Sequence, residues 1–274
     1  MTDTRACDSH FHLFGGPEFP FAAETVYVLE PSQRGTVQGL LATFDAHGIT
    51  HGLAVAAQGY LYDNSAMLHG IKLSNGRLKG VALVKPSITD RELTALKDGG
   101  VVGIRMNPTT WGLREFTEEG ADRLIARVKE MGFFLQVHVQ EDELVAPASI
   151  IRRWGIRLFI DHFGRPDPRK GLDQPGFKEL IEFGKSGNAV VKLSGPYRTS
   201  REGPPYRDTD PYVEAAIKVF GIDNCVWGSD WPFTRVNERV DYGPQLLPLS
   251  RWLPDAKDRR KVLWENPARL FGFK

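Results

Sequence analysis

The sequence predicts a (β/α)8 barrel of the TIM type, and three observations carry that prediction. Eight short apolar runs rich in Val, Ile and Leu alternate with stretches of helical periodicity, the order that builds a parallel sheet. The 274 residues, 41% of them hydrophobic and 25% charged, suit one such domain, residues 1–274, with a substantial core. The segment Ser9-His10-Phe11-His12-Leu13-Phe14, which closes the first run, is no Gly-rich phosphate loop, and this counts against a doubly wound open sheet.

In chain order, strands are expected at 6–12, 52–57, 78–84, 101–106, 133–139, 158–160, 190–193 and 225–227, each an apolar run bounded by polar or glycine-containing turns. Helices are expected at 36–47, 64–74, 121–131, 177–184 and 212–220, several of them followed by a glycine where a C-cap belongs, as at Gly48, Gly132 and Gly221. The Pro/Gly-rich stretch 195–211 reads as a long loop over the top of the barrel after the seventh strand, and not as a domain boundary.

Composition narrows the partners. The formal net charge is +1 and no basic block or aromatic-and-basic stripe is present, so nucleic acid is not an expected ligand. The polar start carries no apolar signal core, and no apolar run reaches bilayer length, so a soluble cytoplasmic chain without membrane contact is expected. Two cysteines, Cys7 and Cys225, are too few for a disulfide framework and lack zinc-site spacing; both are expected to be buried thiols.

Chemistry concentrates at the predicted strand ends. His10 and His12 lie two apart on the first strand, share a face, and are expected to point inward. His138 ends the fifth strand, while His162 and Asp230 follow the sixth and eighth, all at the catalytic end of a barrel. A single histidine near a strand end is more often structural, but five such positions on four strands favour a functional cluster. Imidazole suits zinc, and the aspartate either ligates a metal or takes a proton from water.

Arg105 ends the fourth strand and Arg198 follows the seventh, so together they suit a substrate with one or two carboxylates. The structural alternative is an internal ion pair for Arg105 and a solvated charge for Arg198. Asn107, and Gln58, Tyr60, Asp63 and Asn64 after the second strand, are further candidates for substrate contact; Asp63 alternatively caps a helix. Asp161, Arg165 and Asp167 read as scaffolding and Trp231 as a wall, while His47, His51 and His69 read as structural or solvent-facing.

Three stretches, Asp8-Ser9-His10-Phe11-His12, Asp161-His162-Phe163-Gly164-Arg165-Pro166-Asp167 and Trp227-Gly228-Ser229-Asp230-Trp231-Pro232, resemble motifs of the amidohydrolase superfamily. Asn266-Pro267-Ala268-Arg269-Leu270-Phe271-Gly272 is similar as well, so the resemblance runs nearly the full length. Gln58 with Asp63-Asn64, Gly103-Ile104-Arg105-Met106-Asn107 and Leu193-Ser194-Gly195-Pro196-Tyr197-Arg198 are similar to the lactonase branch of 2-pyrone-4,6-dicarboxylate hydrolases.

The resemblance implies a hydrolase that opens a small anionic lactone. It makes His10, His12 and His162 polarise the carbonyl while Asp230 activates water, a division of labour that ester hydrolysis requires on chemical grounds. Metal-using members draw on residues matching His10, His12, His138, His162 and Asp230, a set complete for one divalent ion such as zinc. The fourth strand offers Arg105 and Met106 where a bridged pair of metals needs lysine or glutamate. Some metal-free relatives carry a tyrosine in place of His138, so this histidine tilts the expectation toward one zinc, with a metal-free mechanism as the alternative. Metal-dependent decarboxylation, lactone isomerisation and a non-catalytic binding barrel are the competing activities. Ser194 lacks the glycine pattern of a nucleophile elbow and reads as a substrate contact or turn residue. The identity of the lactone and the oligomeric state are not encoded in any motif.

Overall fold

Every predicted apolar run forms a strand in the computed structural model, in which residues 4–25, 29–30 and 33–274 are described. The strands are β1 (Cys7–Phe11), β2 (His51–Val55), β3 (Leu78–Ala82), β4 (Val101–Met106), β5 (Phe134–Val137), β6 (Leu158–Ile160), β7 (Ala189–Ser194) and β8 (Cys225–Gly228). They form one parallel sheet in the order β1 to β8. Two backbone bonds close it into a barrel: His12 N–H donates to Trp231 O at 2.8 Å and Asp230 N–H to His10 O at 2.7 Å.

A helix crosses back between each pair of neighbours: α1 (Val37–His47), α2 (Ser65–Leu73), α3 (Asp90–Asp98), α4 (Ala121–Glu130), α5 (Ala148–Trp154), α6 (Pro175–Lys185) and α7 (Asp210–Phe220), with α8 (Asn266–Phe271) near the C-terminus. Thr36 caps α1 by accepting from Gly39 N–H at 3.2 Å, and Gly48 ends it in the left-handed region at φ 70°. Of the helices between strands, α3 and α5 were not expected from periodicity. Helix α3 starts at a capping box of Thr89 and Glu92 and buries only Leu93 and Leu96, too narrow an apolar stripe to stand out in sequence.

The barrel interior is filled in layers. Cys7, Leu53, Val55, Val81, Phe134, Phe159, Val190 and Val226 pack the lower layer, and Trp264 and Phe271 close it from below. Above them lies a polar layer of Gln136, Lys192, Asp161 and His10, each 0% exposed.

Two bulges aim residues into that upper layer. Between Asp8 and Phe11 the ladder advances three residues on β1 for two on β2, so Cys7 and His10 both reach the interior while Phe11 packs outward on Phe44. The phase of the inward residues relative to Cys7 is therefore set by a bulge, while His10 and His12 share a face as their spacing predicts. A second shift, where β3 residues Gly80–Val81 face β4 residues Val101–Gly103, sends Arg105 inward and Ile104 outward. A Cβ on Gly103 would stand 2.6 Å from the Phe134 ring, so only glycine fits the bulged β4 there.

Both cysteines are free and buried, and no helix among the described residues is long and apolar enough to cross a membrane.

Candidate active site

The closure of β8 onto β1 brings the predicted cluster together at the C-terminal end of the strands. His10 Nε2 and His12 Nε2 lie 3.6 and 3.5 Å from Asp230 Oδ1, and His162 Nε2 lies 3.8 Å from Oδ2. Asp230 and His162 take left-handed backbone angles, φ 63° and φ 51°, and Arg165 does the same at φ 45°. Such angles cost non-glycine residues on the order of 1–3 kcal/mol each and are held where the surroundings over-determine them.

All of these residues except His10 border a cavity of about 370 Å³. His12, His162 and Asp230 line it, and so do Arg105, Arg165, Arg198 and Arg235, so four arginines share the lining with one carboxylate. Gln58, Asn107, Thr109, His138 and Gln140 complete the polar wall. Gln58 Nε2 and Asn107 Oδ1 are buried with no hydrogen-bond partner, although Asn107 Nδ2 donates to Gln58 Oε1 at 3.1 Å. Unpaired buried polar atoms on a cavity wall are what a polar ligand satisfies.

The hydrogen bonds at each histidine constrain its proton. His12 Nδ1 lies 2.8 Å from Val55 O, which can only accept, so Nδ1 carries the hydrogen and Nε2 offers a lone pair beside Asp230. His162 Nδ1 meets Ser194 Oγ at 2.8 Å. Burial pushes the His162 imidazolium down to about 4, so the ring is neutral at physiological pH. Burial would raise the Asp230 carboxyl, but the Arg198 guanidinium on Oδ2, ahead of His162 and His12, holds it well below the usual carboxylate range. Tyr197 adds a 2.7 Å hydroxyl bond to Oδ2. Asp230 is thus an ionised carboxylate at neutral pH.

Several expected contacts fall elsewhere. Arg105 is an internal ion pair as well as a wall residue: its Nε and Nη2 donate to Asp161 Oδ2 at 3.2 and 2.9 Å. Arg198 is paired with Asp230 and Thr234 O. Tyr60 does not reach the cavity, because its hydroxyl accepts from Gly15 N–H at 3.0 Å among Phe14 and Phe21. Asp63 caps α2 through Ser65 N–H, and Asn64 clamps both backbone groups of Leu83. Trp231 packs over Gly35, away from the cavity lining, and is no wall. His10 is 0% exposed and lies beneath the lining residues, so it does not meet a substrate in the cavity directly.

Sequence reasoning missed Lys192, a lysine inside an apolar strand, and the hub role of Asp161. Lys192 Nζ donates to Gln136 Oε1 at 2.7 Å and sits 3.3 Å from His10 Nδ1 and 3.5 Å from Asp161 Oδ1. Burial pulls the Lys192 ammonium down to about 8, with Asp161 opposing. The signal was available: a lone lysine in Val190-Val191-Lys192-Leu193 on an otherwise apolar strand needs a buried partner.

Spacing alone could hold a cation. His10, His12 and Asp230 offer ligand atoms within 4.8 Å of one another, as do His10, Asp161 and His162. His138 belongs to neither group; its Nε2 faces Arg165 Nη1 at 3.4 Å and its Nδ1 lies 3.8 Å from Asp161 Oδ2. The five-residue ligand set is therefore not assembled. The surrounding charge also opposes a dication: Arg198 occupies one oxygen of Asp230, Lys192 stands at His10, and four arginines line the cavity. By charge and donor occupancy the residues do not fit a metal ion, whereas they fit an anion.

The amidohydrolase family model matches residues 7–273. The chain is 34% identical to the 2-pyrone-4,6-dicarboxylate hydrolase of Comamonas testosteroni, covering 97% of this chain and 90% of that one. It is 31% identical to the 4-sulfomuconolactone hydrolase of Hydrogenophaga intermedia, covering 97% and 88%. The solved structure of a probable 2-pyrone-4,6-dicarboxylic acid hydrolase from Acinetobacter baumannii, with citric acid bound, superposes with a TM-score of 0.89 at 28% identity over 98% of this chain and 99% of that one. With the barrel, the strand-end histidines and the eighth-strand aspartate in place, the chain belongs to the amidohydrolase family.

Proposed function

We propose that the protein hydrolyses a compact lactone carrying two anionic groups, without a metal. The observation that carries this reading is the cavity itself, whose lining combines four arginines with an ionised aspartate flanked by His12 and the neutral His162. The anionic groups of the substrate pair with the arginines and so set the ring over Asp230. A lactone dicarboxylate or lactone sulfonate of the kind named for the two relatives has this charge pattern.

Water sits between the lone pair of His12 Nε2 and Asp230, and Asp230 accepts its proton as the oxygen adds to the carbonyl carbon. With Ser194 donating to Nδ1, His162 presents an Nε2–H to the oxyanion that forms. Collapse breaks the ring C–O bond, and the proton held by Asp230 passes to the departing oxygen. His10 supports Asp230 from below instead of touching the carbonyl. His138, fixed against Arg165, serves as part of the polar wall and not as a ligand. Two free, buried cysteines suit a reducing compartment, and the cytoplasm is the proposed location.

The test is turnover of 2-pyrone-4,6-dicarboxylate and of uncharged 2-pyrone in ¹⁸O-water. Expected are one labelled oxygen in the new carboxylate, no carbon dioxide, and a strong preference for the charged ring. Unlabelled product would indicate isomerisation, released carbon dioxide would indicate decarboxylation, and equal use of both rings would overturn the anionic-substrate reading.

A further inference from the structure

We propose that Thr109 and Glu143 together read a hydroxyl group on the substrate: Glu143 takes the hydrogen of Thr109, and the lone pair left on Thr109 Oγ1 accepts from a ligand O–H that lies beside the anionic groups. That ligand is the lactone of the proposed hydrolysis, on which this reading rests, whereas the polarity of Thr109 stands apart from any substrate.

Thr109 sits on the short helical turn Pro108–Trp111 that follows β4, and it lines the cavity near Asn107 and Gln140. Its hydroxyl has one hydrogen and two neighbours, Glu143 Oε2 at 2.6 Å and His138 O at 3.3 Å, and it is the donor to both. The shorter bond, to a carboxylate, takes the hydrogen. Among the described residues no group donates to Thr109 Oγ1 in return, so the oxygen keeps a lone pair without a partner.

Glu143 is held firmly enough to impose this direction. Its Oε2 also accepts from Gln140 N–H at 2.9 Å, and its own N–H closes the turn on Gln140 O at 3.1 Å. The two residues before it are tied elsewhere: Glu141 N–H donates to Arg165 O at 3.0 Å, and Asp142 Oδ1 accepts from Gly176 N–H at 2.9 Å at the start of α6. Glu143 is not among the residues lining the cavity, so it is a positioning residue that acts through Thr109.

The fitting ligand is the complement of these groups. Arginine side chains only donate, so the anionic groups of a lactone belong with them; a carboxylate set against Thr109 would meet another lone pair. Two residues earlier, Asn107 Oδ1 is likewise without a donor, which gives this side of the cavity a second acceptor to fill. A ligand hydroxyl supplies the missing hydrogen. A site built to hydrogen-bond a substrate O–H discriminates against the analogue that lacks it, because the acceptor is then left unpaired.

The experiment compares isocitric acid γ-lactone with the two diastereomers of hydroxycitric acid γ-lactone, dicarboxylated rings that differ by one hydroxyl. kcat/KM is measured where a lactone is opened, and Kd by calorimetry where it is not. The wild type is expected to favour at least one hydroxylated ring about three- to tenfold, the worth of one neutral hydrogen bond. Thr109→Val keeps the shape of the side chain and is expected to abolish the preference while leaving isocitric acid γ-lactone within about twofold. Glu143→Ala is expected to lose the preference too, since Thr109 is then free to donate, and Glu143→Gln to retain it, since the amide oxygen still accepts from Thr109. Equal use of the rings by the wild type overturns the proposal, and that comparison decides even if the variants fail to fold. A preference that survives in folded Thr109→Val or Glu143→Ala overturns it as well, as does a parallel loss of all three lactones in Thr109→Val. Failure of the hydrolase reading would look different: no ring opened by the wild type, with the binding preference for the hydroxyl intact.

Discussion

Replacing Asp230 by Asn isolates the base from everything else that the residue does. The backbone at this position is left-handed, φ 63°, a region that asparagine adopts as readily as aspartate, so the turn after β8 is expected to survive. The amide oxygen can still accept from Tyr197 and Arg198. What is lost is the charge opposite a guanidinium that is 15% exposed, a stability cost of about 1–2 kcal/mol, or a few degrees in Tm for a chain of this size. Catalysis loses far more. An amide cannot take the proton of the attacking water, and removal of a general base costs about 10²- to 10⁴-fold. KM for a charged lactone is expected to stay level, because Arg198 keeps its bonds to residue 230 and to Thr234 O and the arginines of the cavity wall are unchanged. Initial rates followed by proton release, beside thermal unfolding by circular dichroism, provide the assay. A folded variant with kcat within about tenfold of wild type would falsify the assignment of Asp230 as base.

Three further outcomes can be checked without new substrates. Burial pushes the Glu115 carboxyl up from 4.5 to about 7, so the native state holds a proton that the unfolded chain has lost, and stability falls by about 3 kcal/mol as pH rises between those values. Glu115→Gln keeps an acceptor for Asn107 N–H and does not titrate, so it should raise Tm at pH 8 and leave it unchanged near pH 4; an equal effect at both would refute the buried-acid account. With His162 at about 4 and Asp230 below the ordinary carboxylate range, kcat/KM should be flat from neutrality to about pH 5 and decline as pH drops through about 4. An acid limb near 6.5 would contradict the neutral His162. Exhaustive chelation should leave the rate within about twofold, and a loss restored by added zinc would reverse the metal-free reading.

Much of this was legible in the residues. Strand ends at 101–106 and 158–160 coincide with the observed β4 and β6, because short β-branched runs between turns admit little slippage. His162 and Asp230 were legible as well, since each follows a strand directly. The depth of His10 was not, because it depends on a bulge that alternation cannot reveal and on the close approach of Gly228, where a Cβ would stand 2.6 Å from His10 Cβ. His138 shows the same limit. Its place at a strand end suggested a ligand, but whether its nitrogen meets a metal or a guanidinium depends on the turn that carries Arg165, a residue 27 positions away. Tyr60, Asp63 and Asn64 follow a strand too, yet beyond Gln58 the segment 60–64 turns aside and spends their polar groups on capping and loop anchoring.

The closing seam of the barrel puts the proposed catalytic cluster and the cohesion of the sheet at one joint. Asp230 N–H is bonded to His10 O, and His12 N–H to Trp231 O, so the two bonds that join the ends of the sheet lie within that cluster. Opening of the cylinder at this joint would pull the Asp230 carboxylate, the proposed base, away from His10 and His12. Inactivation by denaturant should then precede the loss of helical signal, and slow deuterium uptake at these two amides becomes a direct gauge of an assembled site. Interruptions of the chain elsewhere on the cylinder, such as between β4 and β5, leave the joint whole, whereas a cut near residue 14 or 228 would free the cluster on one side.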